Sequence, residues 1–141
     1  MSERIRFPAF RDRIRTAEQA AALIHPGDTV AMSGFTGAGY PKAVPKALAE
    51  RIERAHAQGL PFQIRVLTGA STAPELDGVL ARANGIEMRL PYQSDPTVRD
   101  QINRGEMDYL DIHLSHVAQH AWFGYFGQIT LAVVEVAGIL E

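Results

Sequence analysis

The sequence predicts an α/β fold, a mostly parallel sheet with helices on both faces, on three observations. From Thr16 onward short apolar runs alternate with segments of helical period, the helical segments open on capping residues and tend to close on glycine, and single helices separate successive strands. Strands joined in that way are linked by right-handed crossovers, and the loops at their carboxyl ends collect along one edge.

The first helix opens on a capping-box pair, Thr16 and Gln19, and ends in the turn His25-Pro26-Gly27-Asp28. A strand from Thr29 to Ser33 leads into the run Gly34-Phe35-Thr36-Gly37-Ala38-Gly39-Tyr40-Pro41. Beyond it Val44, Leu48, Ile52 and Ala55 recur at helical spacing, with Gly59 at the C-terminal cap position. The unit repeats as a strand from Phe62 to Leu67, the loop Thr68-Gly69-Ala70-Ser71, and a helix opened by Thr72, Pro74 and Glu75. A third unit has a strand from Ile86 to Leu90, then Asp95 as N-cap with Pro96 at the first helical position, closed by Gly105. Tyr109 to Ile112 reads as a short strand, and Ser115 as the cap of a helix through Trp122. Ile129 to Val136, apolar and β-branched, reads as a strand buried on both faces. Such a strand needs neighbours on each side, and five residues remain after it. The sequence therefore reads as a fragment or as half of a split protein.

A length of 141 residues suits one domain, and 46% hydrophobic with 21% charged residues is the composition of a soluble globular protein. A net charge of −2 provides no broad basic field, so nucleic acid is not an expected partner. The lack of cysteine excludes disulfides, thiolate metal sites and cysteine nucleophiles, and it fits a reducing cytoplasm. No apolar stretch approaches the roughly 20 residues that span a bilayer. Arg4, Arg6, Arg11, Arg13 and Arg15 are interrupted by Asp12 and lack the serines of a transit peptide, so they read as a solvated face.

Three loops converge at the carboxyl edge: Gly34 to Pro41, Thr68 to Thr72, and Pro91 to Pro96. Convergent polar loops there are the default ligand site of an open α/β sheet. The glycine run has the composition of an anion cradle, in which glycines allow close approach and leave N–H groups free. Its order, G-x-x-G-x-G, is not the dinucleotide fingerprint, and the next strand ends Val66-Leu67-Thr68 rather than on an acid. Gly39 is followed by Tyr40 and Pro41, not by the Lys-Ser/Thr of a P-loop. A plain strand-to-helix turn accounts for one or two glycines but not for three with Thr36 and Tyr40 among them.

Asp28, the strand Val30-Ala31-Met32, and then Gly34-Phe35-x-x-x-Gly39-x-Pro41 resemble the first signature of class I coenzyme A transferases. Gly37 to Lys42, Thr68-Gly69-Ala70-Ser71-Thr72, Leu76-Asp77-Gly78 and Val134-Glu135 follow in the order of the acetyl-CoA hydrolase and succinyl-CoA:acetate CoA-transferase branch. The resemblance implies a NagB/RpiA/CoA transferase-like fold, of which residues 1–141 are the incomplete N-terminal part. It implies transfer of CoA between an acyl-CoA and a small carboxylate, with a glutamate attacking the thioester to form an acyl-glutamyl anhydride. Water in place of the acceptor gives hydrolysis. That glutamate lies in the family's C-terminal part, so no catalytic residue is assigned here and the chain alone is expected to be inactive. Coenzyme A is substrate rather than resident cofactor, and the intact enzyme is expected to be a homodimer, or this chain to associate with the missing half.

By the same resemblance Gly34, Phe35, Thr36, Gly37, Ala38, Gly39, Ser71 and Ser94 line the substrate and CoA site. Ser71 has two further readings. Gly69-Ala70-Ser71-Thr72-Ala73 imitates a nucleophile elbow but lacks its last glycine, and a loop serine also caps a following helix. Ser94 stands where the family commonly has threonine. Lys42 and Lys46 either steer CoA phosphates or are solvated. His113, His116 and His120 share a helix side at i, i+3, i+7, yet the neighbouring Trp122, Phe123, Tyr125 and Phe126 favour packing over a metal site, and no metal is expected. A non-catalytic split subunit that needs a partner remains the alternative from another class.

Overall fold

The computed structural model describes residues 4–70 and 73–140. Strands β1 (Thr29–Met32), β2 (Ile64–Leu67), β3 (Ile86–Leu90), β4 (Asp108–Tyr109) and β5 (Leu131–Val133) form one all-parallel sheet in the order β4-β3-β2-β1-β5. The helices are α1 (Ala17–Ala21), α2 (Ala43–Ala57), α3 (Val79–Arg82), α4 (Pro96–Asn103) and α5 (Leu114–Trp122). The fold is α/β, as the alternation of strands and helices predicts. No helix among the described residues is long and apolar enough to cross a membrane.

Local chemistry sets the helix ends. The capping box at α1 forms with both reciprocal bonds, Gln19 N–H to Thr16 Oγ1 at 3.2 Å and Thr16 N–H to Gln19 Oε1 at 3.0 Å. At the end of α2, Leu60 N–H reaches Ala55 O and Gly59 N–H reaches His56 O, the crossed pair of a Schellman cap, which needs the left-handed φ of +73° at Gly59. Asp95 caps α4 by accepting from the amides of Thr97 and Val98. The helix expected from Thr72 starts instead as a five-residue π-turn, Pro74–Gly78, continuing into α3; Thr72 itself lies outside the described residues. Ser115 is not the cap of α5. His113 is, its Nδ1 accepting from Ser115 N–H, because the helix begins one residue before the serine, at Leu114.

Two apolar clusters lie on the two faces of the sheet. The larger one joins Val30, Met32, Ile64, Val66 and Ile86 to Leu48 and Ile52 of α2 and Leu80 of α3. The smaller one has only Leu67, Leu90 and Phe126 fully buried, with Val117 and Ala121 of α5 partly covering it. A bulge decides which side chains of β3 reach which cluster. Ile64 pairs with Ile86 but Arg65 pairs with Met88, so Glu87 is an extra residue and every later side chain changes face. Arg89 is thereby turned to the helical side.

The last strand departs from expectation. It covers Leu131–Val133, stands at the edge of the sheet and is only half-buried; Val134 and Val136 beyond it are 60% and 58% exposed. Its apolar composition suits a central strand, but β1 is its only strand neighbour among the described residues. The segment expected as a strand from Tyr109 to Ile112 is Asp108–Tyr109. The arginines at positions 4, 6, 11, 13 and 15 are all exposed, as a solvated face requires.

Candidate functional site

Loops after β1, β2, β3 and β5 meet at the carboxyl edge. The first is a tight hairpin: Phe35 N–H donates to Ala38 O at 2.9 Å and Ala38 N–H to Phe35 O at 3.0 Å. Thr36 and Gly37 between them have φ of +49° and +81°, the pair of positive angles that a type I′ turn demands. The amides of Phe35, Thr36 and Ala38 are thus taken inside the protein, Thr36 N–H by Ala70 O at 2.9 Å. These three amides of the run are therefore not free for an anion, and the run forms a folded wall at the edge. Phe35, Thr36, Gly37, Ala38 and Gly39 are all exposed at the edge, and Gly34 is half-buried.

Close approach fixes the wall against the second loop. A Cβ on Gly69 would lie 2.2 Å from Gly34 O, so a side chain there cannot fit without moving backbone. Ser33 braces the other flank. Its hydroxyl donates to Gly39 O at 2.6 Å and accepts from Glu135 N–H at 2.8 Å, while Ser33 N–H pairs with Val133 O at 2.9 Å.

Beneath the loops lies a buried ionic network absent from the sequence-derived candidates. Arg89, fully buried, meets the fully buried Asp77 through Nε to Oδ1 at 2.8 Å and Nη2 to Oδ2 at 3.1 Å. Its Nη2 also donates to Thr68 Oγ1 at 2.7 Å, and its Nη1 to Leu90 O. Thr68 Oγ1 in turn donates to Gly69 O at 2.7 Å. One guanidinium therefore ties the end of β3, the π-turn and the start of the loop after β2. The only signal in the sequence was an arginine amid the apolar residues of β3, which simple alternation places beside Glu87.

A second polar cluster borders the glycine wall. Tyr40, nearly buried, hydrogen-bonds through its hydroxyl to Glu75 at 3.0 Å; burial first, then that carboxylate, raise its pKa. Lys42 reaches both oxygens of Glu135 at 3.0 and 3.3 Å and stands 4.2 Å from the Tyr40 ring centroid. The bond to Glu135 holds the ammonium above its ordinary pKa. Lys42 is thus engaged with a carboxylate rather than presented for a phosphate; Lys46 is exposed on α2.

Ser94 lies exposed on the third loop, its carbonyl accepting from Arg99 at 3.3 Å. Ser71 lies outside the described residues. Gln93, 6% exposed, carries a buried Oε1 with no hydrogen-bond partner. The imidazoles of His113, His116 and His120 follow one another at centroid spacings of 5.8 and 5.9 Å, and His120 meets Tyr125 and Phe126 edge-on. No group of three potential ligands among the described residues could hold a metal ion.

A family model described as the acetyl-CoA hydrolase/transferase N-terminal domain matches residues 2–140. The chain is 46% identical over 124 residues to the propanoyl-CoA:succinate CoA transferase of Escherichia coli, covering 88% of this chain and 25% of that protein. It is 40% identical over 139 residues to the succinyl-CoA:acetate CoA-transferase of Clostridium kluyveri, covering 99% and 25%. An acetyl-CoA hydrolase of Yarrowia lipolytica is 34% identical over 150 residues, covering 100% and 29%. The chain thus spans about a quarter of the length of these relatives. The crystal structure of RipA from Yersinia pestis superposes with a TM-score of 0.54 at 20% identity over 84% of this chain and 26% of that one, a likeness of fold.

Proposed function

We propose, for a chain that belongs to the acetyl-CoA hydrolase/transferase family, that it supplies one wall of a site where coenzyme A moves between an acyl-CoA and a small carboxylate such as succinate or acetate. The convergence of four loops on the carboxyl edge supports this reading, above all the locked contact between Gly34 and Gly69. A carboxylate or thioester oxygen needs donors that do not reorganise during the reaction. Hairpin hydrogen bonds and the Ser33 brace hold Gly34 to Gly39 in place, the Thr36–Ala70 bond joins them to the loop after β2, and Arg89 anchors that loop at Thr68. In this reading Ser71 and Ser94 contribute hydroxyl donors to the carboxylate end of the substrate.

The nucleophile belongs to the part of the family's length that this chain does not span. It is a glutamate whose carboxylate oxygen bonds the acyl carbon as the carbon–sulfur bond breaks, releasing CoA thiolate and leaving an anhydride. Thiolate then attacks the glutamyl carbon and expels the donor carboxylate, leaving a glutamyl-CoA thioester. The acceptor carboxylate attacks that carbonyl and expels thiolate to form a second anhydride, and thiolate attacks its acyl carbon, releasing the new acyl-CoA and the free glutamate. Water in place of the acceptor yields net hydrolysis, a second outcome favoured by the 34% identity to an acetyl-CoA hydrolase. Coenzyme A enters as substrate.

The test is turnover of acetyl-CoA with succinate by the purified chain, alone and joined to the remaining three-quarters of the Clostridium kluyveri relative. The expected result is no turnover alone and succinate-dependent turnover in the joined protein. An enzyme-like rate from the chain alone would overturn the assignment of the nucleophile. A folded joined protein that neither transfers nor hydrolyses would overturn the assignment of the site.

A further inference from the structure

Two departures from regular structure meet at one buried ion pair. A bulge at Glu87 turns Arg89 to the helical side of the sheet, the π-turn Pro74–Gly78 brings Asp77 to it, and both side chains are fully buried. An apolar pair of similar volume in such a place is commonly as stable as the ion pair or more so. Bulges and π-turns interrupt regular pairing, and they recur beside functional sites, where they re-aim a side chain. Stability alone therefore does not account for two charges brought together in this way.

Contacts run from the pair to the glycine wall without a gap. Arg89 Nη2 donates to Thr68 Oγ1 at 2.7 Å, and that hydroxyl donates to Gly69 O at 2.7 Å. Leu90 O, which accepts from Arg89 Nη1, also accepts from Thr68 N–H at 3.2 Å, so backbone and side chain of Thr68 are both fixed to the end of β3. Gly69 lies against Gly34 O, and Ala70 O accepts from Thr36 N–H at 2.9 Å. On the other side of the pair, Asp77 N–H donates to Ala73 O at 3.0 Å, which extends the hold to the residue before the π-turn.

We propose that Arg89 and Asp77 are positioning residues for the carboxylate end of the site, acting through Thr68. The buried pair sets where Gly69 and Ala70 stand, and these set where the hairpin of Gly34 to Gly39 stands. Neither charged group has solvent access, so neither touches the substrate. The inference rests on the site proposed above and adds that binding of a small carboxylate depends on an ion pair beneath the loops.

Three variants test it. Asp77→Leu combined with Arg89→Met fills the site with apolar volume and takes the guanidinium from Thr68; Thr68→Val removes the hydroxyl and keeps both charges; Thr68→Ser keeps the hydroxyl. The first readout is hydrogen exchange at the Thr36 amide, which is bonded across the gap to Ala70 O. Exchange quickens severalfold to about tenfold in the double variant and in Thr68→Val, and stays at the parent rate in Thr68→Ser. The second readout is KM for succinate in the chain joined to the remaining three-quarters of the Clostridium kluyveri relative. It rises about tenfold in the same two variants, the worth of about one hydrogen bond to a charged group, and returns with Thr68→Ser. A smaller folded fraction lowers the apparent kcat and leaves KM alone, so a merely structural role does not produce this change. Parent exchange at Thr36, or a parent KM, in variants that fold overturns the inference, and Thr68→Val decides it alone if the double variant fails to fold. A joined parent protein that folds without turnover counts against the proposed site instead, and exchange at Thr36 then decides the inference.

Discussion

Asp77→Ala removes the one carboxylate bonded to Arg89 among the described residues and leaves a guanidinium in a site with no solvent access. Thr68 Oγ1 and Leu90 O remain as neutral acceptors, too few for the five N–H groups and unable to balance the charge. Breaking a buried pair from one side costs about 3–5 kcal/mol. Domains of this size have about 5–15 kcal/mol in all, so the substitution removes a large part of the stability. Removing both charges with Asp77→Leu and Arg89→Met together substitutes apolar volume and leaves Thr68 bonded to Gly69 O, so the double variant loses at least about 2 kcal/mol less than the sum of the losses of Asp77→Leu and Arg89→Met made singly. Urea titration of the parent, Asp77→Ala, the two single variants and the double variant measures this, provided the slopes agree so that midpoints report stability alone. A loss below about 1 kcal/mol for Asp77→Ala, or strict additivity in the double variant, refutes the assignment of the pair as the tie beneath the loops.

Gly69→Ala drives a methyl to within 2.2 Å of Gly34 O and destabilises by about 2–3 kcal/mol, whereas Gly37→Ala, with open space around it, costs about 1 kcal/mol through its φ of +81° alone; thermal melts of the two distinguish contact from strain. Asp95→Ala strips the cap from α4 and costs about 1 kcal/mol, read by denaturant midpoint. Burial and Glu75 raise the Tyr40 pKa in the folded chain, so its neutral phenol contributes stability that is present below the unfolded value of 10.0 and is lost as pH rises through the folded value. Tyr40→Phe flattens that alkaline loss and removes a late step from the phenolate titration; an unchanged titration contradicts the burial of this hydroxyl.

Caps and apolar periods made most of the fold legible: the reciprocal bonds of Thr16 and Gln19 and the Asp95 cap follow from local spacing. Arg89 was not legible, because the bulge at Glu87 is a pairing irregularity between β2 and β3 and leaves no mark in either strand's own sequence. Simple alternation puts Arg89 on the face of Glu87, opposite to where it lies. For β5 the composition reported a preference for two covered faces, while the strand stands half-buried at the edge of the sheet, and edge or centre is decided by pairing that the strand's own residues do not record. The glycine run was correctly placed at the carboxyl edge, but composition cannot distinguish amides that point outward from amides closed into a hairpin. That distinction depends on Phe35 pairing with Ala38 and on Thr36 reaching Ala70 across the gap between loops.

Ser33 tests the difference between a wall and a cradle. If the glycine run is held as a rigid wall, the brace that anchors it should be a single point of failure, and Ser33 Oγ joins Gly39 O on one side to Glu135 N–H on the other. Ser33→Ala deletes both bonds yet keeps the Ser33 N–H pairing to Val133 O, so β1 and β5 stay together. At about 1 kcal/mol per lost hydrogen bond the chain loses about 1–2 kcal/mol. The share that falls on the Glu135 amide accelerates its exchange severalfold to about tenfold, since 1.4 kcal/mol is a factor of ten. Ser33→Thr retains the hydroxyl and restores most of the protection. Hydrogen exchange resolved at Glu135 reads this directly. If the amide exchanges in Ser33→Ala at the parent rate, the hydroxyl does not hold the loop to the end of β5, and the glycine run would have to be positioned by its contact with Gly69 and the Thr36–Ala70 bond.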